Sequence, residues 1–425
     1  MSNKESRIVP PRRFPQFNTS ESWNEPTLGE LSDRVVDKVG SEKYTTLSIS
    51  AGVGFISQTE KFDRDISGEQ YRNYIHVKKG DFSYNKGNSK KFPQGCVYEL
   101  NEYEEAAVPN AFISFRFHDD VVSGFYKGYF EGNFHGRQLS KHITSGARSN
   151  GLLNINADDF FSIILPTPKD IKEQRMIADC VKSLADTICA EHQKLESLQK
   201  YKVGLIQQLF PSKDTQLPNW RFPEYKNAGK WKFAKLIDVA DRITLRNRNN
   251  AIKRVFTNSA INGVIEQNEY FEREIVSENN LTNYLVVETG DYVYNPRISA
   301  TAPVGPVSKN KIGNGIISPL YTVFRFKEDD FDFYEYYFKS TLWHQYINMK
   351  SNTGARHDRI NISTDDFMNM PVPVCPDPNE KEKIAVFLKN LDNIISDQEQ
   401  KIELLKLYKK GLIQQLFPSF EEVFK

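Results

Sequence analysis

Lysines and arginines that stand where acids are missing are the residues best suited to chemistry in this chain. It holds 55 Asp and Glu in 425 residues, about one in eight. Yet Phe82 to Tyr98 has none and carries Lys86, Lys90 and Lys91. Tyr292 to Lys327 has none and carries Arg297, Lys309, Lys311, Arg325 and Lys327. A second pair of acid-free stretches follows. Gly132 to Ala157 carries Arg137, Lys141 and Arg148; Tyr336 to His357 carries Lys339, Lys350 and Arg356, with Arg359 just beyond. Cations without neighbouring carboxylates suit a polyanion, because they neutralise phosphates and release counterions. The interleaved Asn, Gln, Ser and Tyr side chains can hydrogen-bond base edges. A buried, strand-rich stretch would exclude acids too, but the lysines favour nucleic-acid contact.

Arg148 and Arg356 sit in the matching strings "SGARSNG" and "TGARHDRIN". A glycine-opened loop presenting arginine suits a phosphate. It would equally serve as a turn whose arginine caps a helix or pairs with the nearby "DDF". Both halves of the chain keep the loop, so discrimination between sequences is expected where the halves differ most.

Catalytic signatures are missing. The chain has no GxxxxGK[ST] phosphate loop, HExxH zinc helix or GxSxG elbow. It also lacks the Asn-Pro-Pro or Asp-Pro-Pro motif of an amino-methyltransferase. Its 7 histidines are scattered without metal-ligand spacing. "SAGVGF" lacks the third glycine of a dinucleotide loop and reads as a turn. "EQK", Glu399 to Lys401, lies on a helix and reads as a solvated face. The 4 cysteines (Cys96, Cys180, Cys189, Cys375) show no CxxC pairing, so neither a disulfide framework nor a zinc site is implied. No catalytic residue and no metal ligand is assigned.

These residues are positioned by a duplicated plan. "YKVGLIQQLFPS" (Tyr201–Ser212) returns as "YKKGLIQQLFPS" (Tyr408–Ser419). "RFPQF" at Arg13 returns as "RFPEY" at Arg221, and "NYIHVKKGDFSYN" (Asn73–Asn85) as "NYLVVETGDYVYN" (Asn283–Asn295). "FRF" and "GAR" also recur, and "NINADDF" returns as "NISTDDF". A period near 207 is too long for a solenoid. Each copy is one domain plus one appended segment.

The appended segments read as long helices. Ile177, Val181, Leu184, Ile188, Leu195, Leu198 and Leu205 step by fours and threes, with Glu191 and Lys202 interposed. Ile384, Leu388, Leu391, Ile395, Ile402, Leu405 and Leu412 repeat the pattern, with Gln398 and Lys409 interposed. That is a heptad seam, and polar residues within it can fix register and partner. The proline of "LFP" ends each helix. The domain segments alternate apolar and polar residues between glycine turns, which predicts short strands. Local helices are expected at "SGFYKGYFEGNFH" and "DFYEYYFKSTLWHQYIN". The fold class is α+β: two repeated strand-rich domains, each followed by a long helix.

The two-copy plan, the "GAR…NI…DDF…P" run into each helix, the starts "KEQRMIA" and "KEKIA" and the paired "GLIQQLF" ends resemble the specificity (S) subunit of type I restriction–modification systems. The resemblance covers nearly the whole chain. Glu173–Gln174 fits the family's usual Glu-Gln pair, whereas Glu380–Lys381 departs from it. The resemblance implies two target-recognition domains, residues 1–169 and 213–376. It implies helices at 170–212 and 377–425 packed as an antiparallel coiled-coil spacer with a pseudo-two-fold. Each domain would read one half of a split sequence in double-stranded DNA. Two methyltransferase (M) subunits would supply S-adenosylmethionine and methylate adenine; restriction (R) subunits would cleave with ATP and Mg2+. This chain would bind no cofactor and catalyse nothing. A duplicated scaffold for another polyanion or protein is the alternative. The N-terminus shows no secretory signal and no apolar run reaches the roughly 18–20 residues that span a bilayer. A cytoplasmic location, away from membranes, is expected.

Overall fold

The computed structural model describes residues 8–87, 92–143, 152–270, 278–328, 332–351 and 358–418. The chain divides into two compact units: Met1–His192 with Gln400–Lys425, and Gln193–Glu399. Each unit takes part of both long helices.

Both units are built on the same antiparallel four-stranded sheet. In the first its order is Ser32–Val35, Ile113–Phe117, Phe82–Asn85, Cys96–Glu99. In the second it is Ala240–Arg242, Thr322–Phe326, Tyr292–Tyr294, Val307–Lys309. The "FRF" strands alternate as a half-buried strand should: their phenylalanines are buried while Arg116 and Arg325 point outward. A second sheet in the second unit runs Gly263–Glu266, Val255–Ser259, Gly315–Ile317, Leu285–Val287, with a parallel central pair. The first unit keeps this plan as two hairpin-like pairs, Leu47–Ser50 with Gly54–Ser57 and Ile75–Lys78 with Glu105–Val108. A single parallel bridge, Thr46 to Ala107, links them. "SAGVGF" is the turn of the first of these hairpins, with Gly52 at φ +88° and Gly54 at φ +112°.

The expected local helices form, but each is broken. Ser123–Glu131 and Phe134–Leu139 are separated at Asn133, which takes the left-handed conformation. Phe333–Phe338 and His344–Lys350 occupy the matching place in the second unit.

The long helices span Ile171–Leu209 and Pro378–Leu416, 39 residues each, so each is about 58 Å long. No seam position is exposed. Within the first unit Glu191 pairs with Lys401 at 2.6 Å, and Val181 shares a cluster with Ile413. Within the second, Lys202 pairs with Asp392, and Gln199 donates to Glu399 at 3.5 Å. In both units one residue number falls as its partner's rises, so the helices run antiparallel. Charge inside the seam is compensated: Lys409 meets both oxygens of Glu131 at 2.6 and 2.8 Å.

The repeated helix ends fill matching aromatic sockets. Phe417 packs on Trp23 (6.4 Å between ring centres), Phe125 (5.0 Å) and Tyr129 (5.9 Å). Phe210 packs on Trp231 (6.4 Å), Phe333 (5.0 Å) and Tyr337 (5.7 Å). Gly128 lets Phe417 approach, since a Cβ there would lie 3.3 Å from the ring. Each "GLIQQLF" therefore completes the domain core of the other copy.

Candidate nucleic-acid interface

One asparagine in each unit organises the basic segments. Asn85 Nδ2 donates to the Ile49 carbonyl at 3.3 Å, and Asn85 Oδ1 accepts the Gly87 N–H at 2.9 Å. Asn295 Nδ2 donates to the Asn258 carbonyl at 2.9 Å, and its Oδ1 accepts the Arg297 N–H at 3.0 Å. Each asparagine thus joins a hairpin (Leu47–Ser57 or Val255–Glu266) to the turn that begins the basic segment. A glycine with positive φ closes in behind, Gly95 at +80° and Gly305 at +82°. A Cβ on either would stand 2.5 Å from the Asn85 carbonyl oxygen or 2.1 Å from that of Asn295, so only glycine fits.

The segments flanking the "GAR" loops are pinned to the same turns. Leu153 N–H donates to the Lys86 carbonyl at 2.9 Å, and Lys86 Nζ reaches the Ile155 carbonyl at 3.3 Å. Ile360 N–H donates to the Pro296 carbonyl at 2.8 Å, and Arg297 lies opposite Arg359 across an antiparallel bridge. Arg297 is exposed there, and Arg359 lies 3.8 Å from the carboxylate of Asp358.

The remaining predicted cations divide. Arg137 and Lys141 are exposed at the end of Phe134–Leu139 and in the turn after it; Lys350 is exposed in the last turn of His344–Lys350. All three lead toward the "GAR" segments. A Cβ on Gly136 would lie 3.1 Å from Gln94 Oε1, so the helix Phe134–Leu139 abuts Gln94. Lys90, Lys91, Arg148 and Arg356 lie outside the described residues. Lys309 and Lys311 differ, because the fold brings acids to them. Asp332 holds Lys309 at 2.7 Å and Lys311 at 3.0 Å, and Glu335 holds Lys311 at 2.5 Å. Burial opposes the charge on Lys311, but the two carboxylates outweigh it and raise its pKa. Burial likewise opposes ionisation of Asp332, and the two lysines outweigh it and lower its pKa. A stretch free of acids in sequence is not free of them in space.

Two sets of ion pairs, each made on a buried carboxylate, support this surface, and the sequence did not announce them. Asp81, buried, accepts Arg116 Nε at 2.6 Å and Nη2 at 2.8 Å; Asp291 accepts Arg325 Nε at 2.6 Å. Arg13 grips Glu173 at 2.6 and 2.7 Å, and Arg221 grips Glu380 at 2.5 and 2.6 Å, all four side chains being nearly inaccessible. The arginines also donate to the carbonyls of Ser20 and Glu21, or of Ala228 and Gly229. Each "RFP" arginine therefore fastens its domain to the first turn of a long helix. The recurrence of "RFP", "GD" and "FRF" was the available signal. Among the described residues no group of three or more His, Cys, Asp or Glu could hold a metal ion, and no helix is long and apolar enough to cross a membrane.

Residues 228–407 match the family model described as the type I restriction modification DNA specificity domain. The type I restriction enzyme MjaVIII specificity subunit of Methanocaldococcus jannaschii is 24% identical over 286 residues, spanning 64% of this chain and 66% of that relative, just under two thirds of its length. A solved structure described as the structural basis of complex assembly and conformational transition of the type I R-M system has a TM-score of 0.53 at 14% identity, covering 93% of this chain and 97% of that one. The HsdS subunit from Thermoanaerobacter tengcongensis has a TM-score of 0.45 at 14% identity, covering 94% and 99%. The first of these likenesses speaks for the fold. Residues 228–407 thus carry a match to the type I restriction modification DNA specificity domain, and the duplicated sheets and paired long helices make a fold similar to that of the type I R-M system structure.

Proposed function

We propose that this chain is the non-catalytic DNA-reading subunit of a type I restriction–modification complex. Each unit reads one half of a bipartite duplex target. The observation that carries this is the duplicated junction at Asn85 and Asn295. In both units it gathers a hairpin, a basic turn and the flanks of the "GAR" loop into one block. Phosphate contacts from Lys86, Arg137, Lys141, Arg297, Lys350 and Arg359 would set the position of each unit on the duplex, leaving neighbouring side chains to read bases. Lys309 and Lys311 take a structural part in this reading. The relative from M. jannaschii, a type I restriction enzyme specificity subunit, supports it.

The chain's partners are two methyltransferase subunits, which hold S-adenosylmethionine, and restriction subunits, which use ATP and Mg2+; the complex works in the cytoplasm. The test is to map methylated adenines across the host genome with and without this gene. Loss of methylation at one split motif is expected. An unchanged methylation map, with the protein still binding a polyanion, would instead favour a scaffold.

A further inference from the structure

We propose that the two hairpin tips, Ala51–Val53 and Ala260–Asn262, are the base-reading points of their units. Val53 and Ile261 make apolar contact with base edges in the major groove. This rests on the DNA-reading function proposed above.

The starting observation is exposure. Among the described residues, Ile261 at 82% and Val53 at 71% are the most exposed large apolar side chains. A lone exposed aliphatic residue is ordinary. Here the two extremes fall on the tip of the same hairpin in both units, where nothing in the fold uses them.

The tips are held rigid. Gly52 N–H donates to the Tyr98 hydroxyl at 2.7 Å, and Val53 N–H to the Ser50 carbonyl at 3.0 Å. Ser259 Oγ accepts the N–H groups of both Ile261 and Asn262 at 3.3 Å. An apolar side chain on a fixed backbone loses little freedom on binding, so its contact is not offset by ordering.

The tips are also indexed to the cations. The strand that leads into each tip offers its penultimate carbonyl, Ile49 or Asn258, to the asparagine that shapes the basic turn. Phosphate contact by that turn would place the tip at a fixed depth in the groove. The major groove offers thymine methyl groups to an aliphatic side chain and adenine edges to an asparagine such as Asn262. The junction is shared by both units, whereas the tips differ, Ala-Gly-Val against Ala-Ile-Asn. Shared phosphate contacts with unlike tips is the arrangement that gives two different half-sites.

The test uses the full chain, purified from its host with its accompanying subunits, and a pool of duplexes randomised in both half-sites. Both side chains are exposed, so neither truncation disturbs folding. Ile261→Ala should relax preference at one or two base pairs of one half-site and weaken the wild-type selected duplex about tenfold. Val53→Ala should do the same in the other half-site only. Unchanged preference at every position, or equal weakening for all sequences, would overturn the proposal. If the wild-type chain selects no sequence, the DNA-reading function itself fails, and the tip assignment with it.

Discussion

His135 takes in the first unit the place that Trp343 takes in the second. Its ring lies 6.2 Å from Tyr84 at 86° and 5.4 Å from Phe130; Trp343 lies 6.4 Å from Tyr294 at 85° and 5.6 Å from Phe338. Among the described residues neither ring nitrogen of His135 has a partner, and burial pushes its pKa from 6.5 down to about 3. The folded unit therefore holds it neutral. Below pH 6.5 the unfolded chain takes up a proton that the folded chain refuses. Stability present above pH 6.5 is then lost as pH falls toward 3, by up to roughly 1.4 kcal/mol per pH unit. Urea midpoints at pH 7 and pH 4.5 should show a larger drop for the wild type than for His135→Phe; equal drops would contradict the account. No sequence signal marked His135 as buried. The asparagines Asn85 and Asn295 were equally silent, although "SYN" and "VYN" recur, because their partners lie 36 and 37 residues away and only the tertiary fold brings them close.

At the scale of elements, periodicity did most of what it can do. Heptad steps found both long helices, since a 3.5-residue repeat has few other physical readings. Alternation found the strands. What periodicity could not show is which socket a helix end enters. That follows from aromatic contacts such as Phe417 on Trp23 and Phe125, set by residues hundreds of positions apart. Phe417→Ala should cost about 3–5 kcal/mol in the first unit through lost burial and a cavity. Hydrogen exchange should then rise in Ser123–Leu139 and stay unchanged in Phe333–Lys350, and Phe210→Ala should reverse the pattern. A uniform rise from either variant would show that the sockets are not separate.

At the scale of the whole molecule, the chain is a duplication. Its two units share sheet order, arginine–glutamate fastening, aromatic socket and asparagine junction, and they differ at the hairpin tips and in the cations around them. The duplication was open to view in the sequence; the convergence of basic segments on one junction was not, because the acids Asp332 and Glu335 and the hairpin carbonyls enter from distant strands and helices. The central claim is that each unit reads one half-site independently. The most direct test exchanges Pro218–Pro376 for the equivalent residues of a relative with a different target, then sequences methylated adenines in the host. The account predicts that one half of the split motif changes and the other is retained. A change in both halves, or in neither, would contradict it.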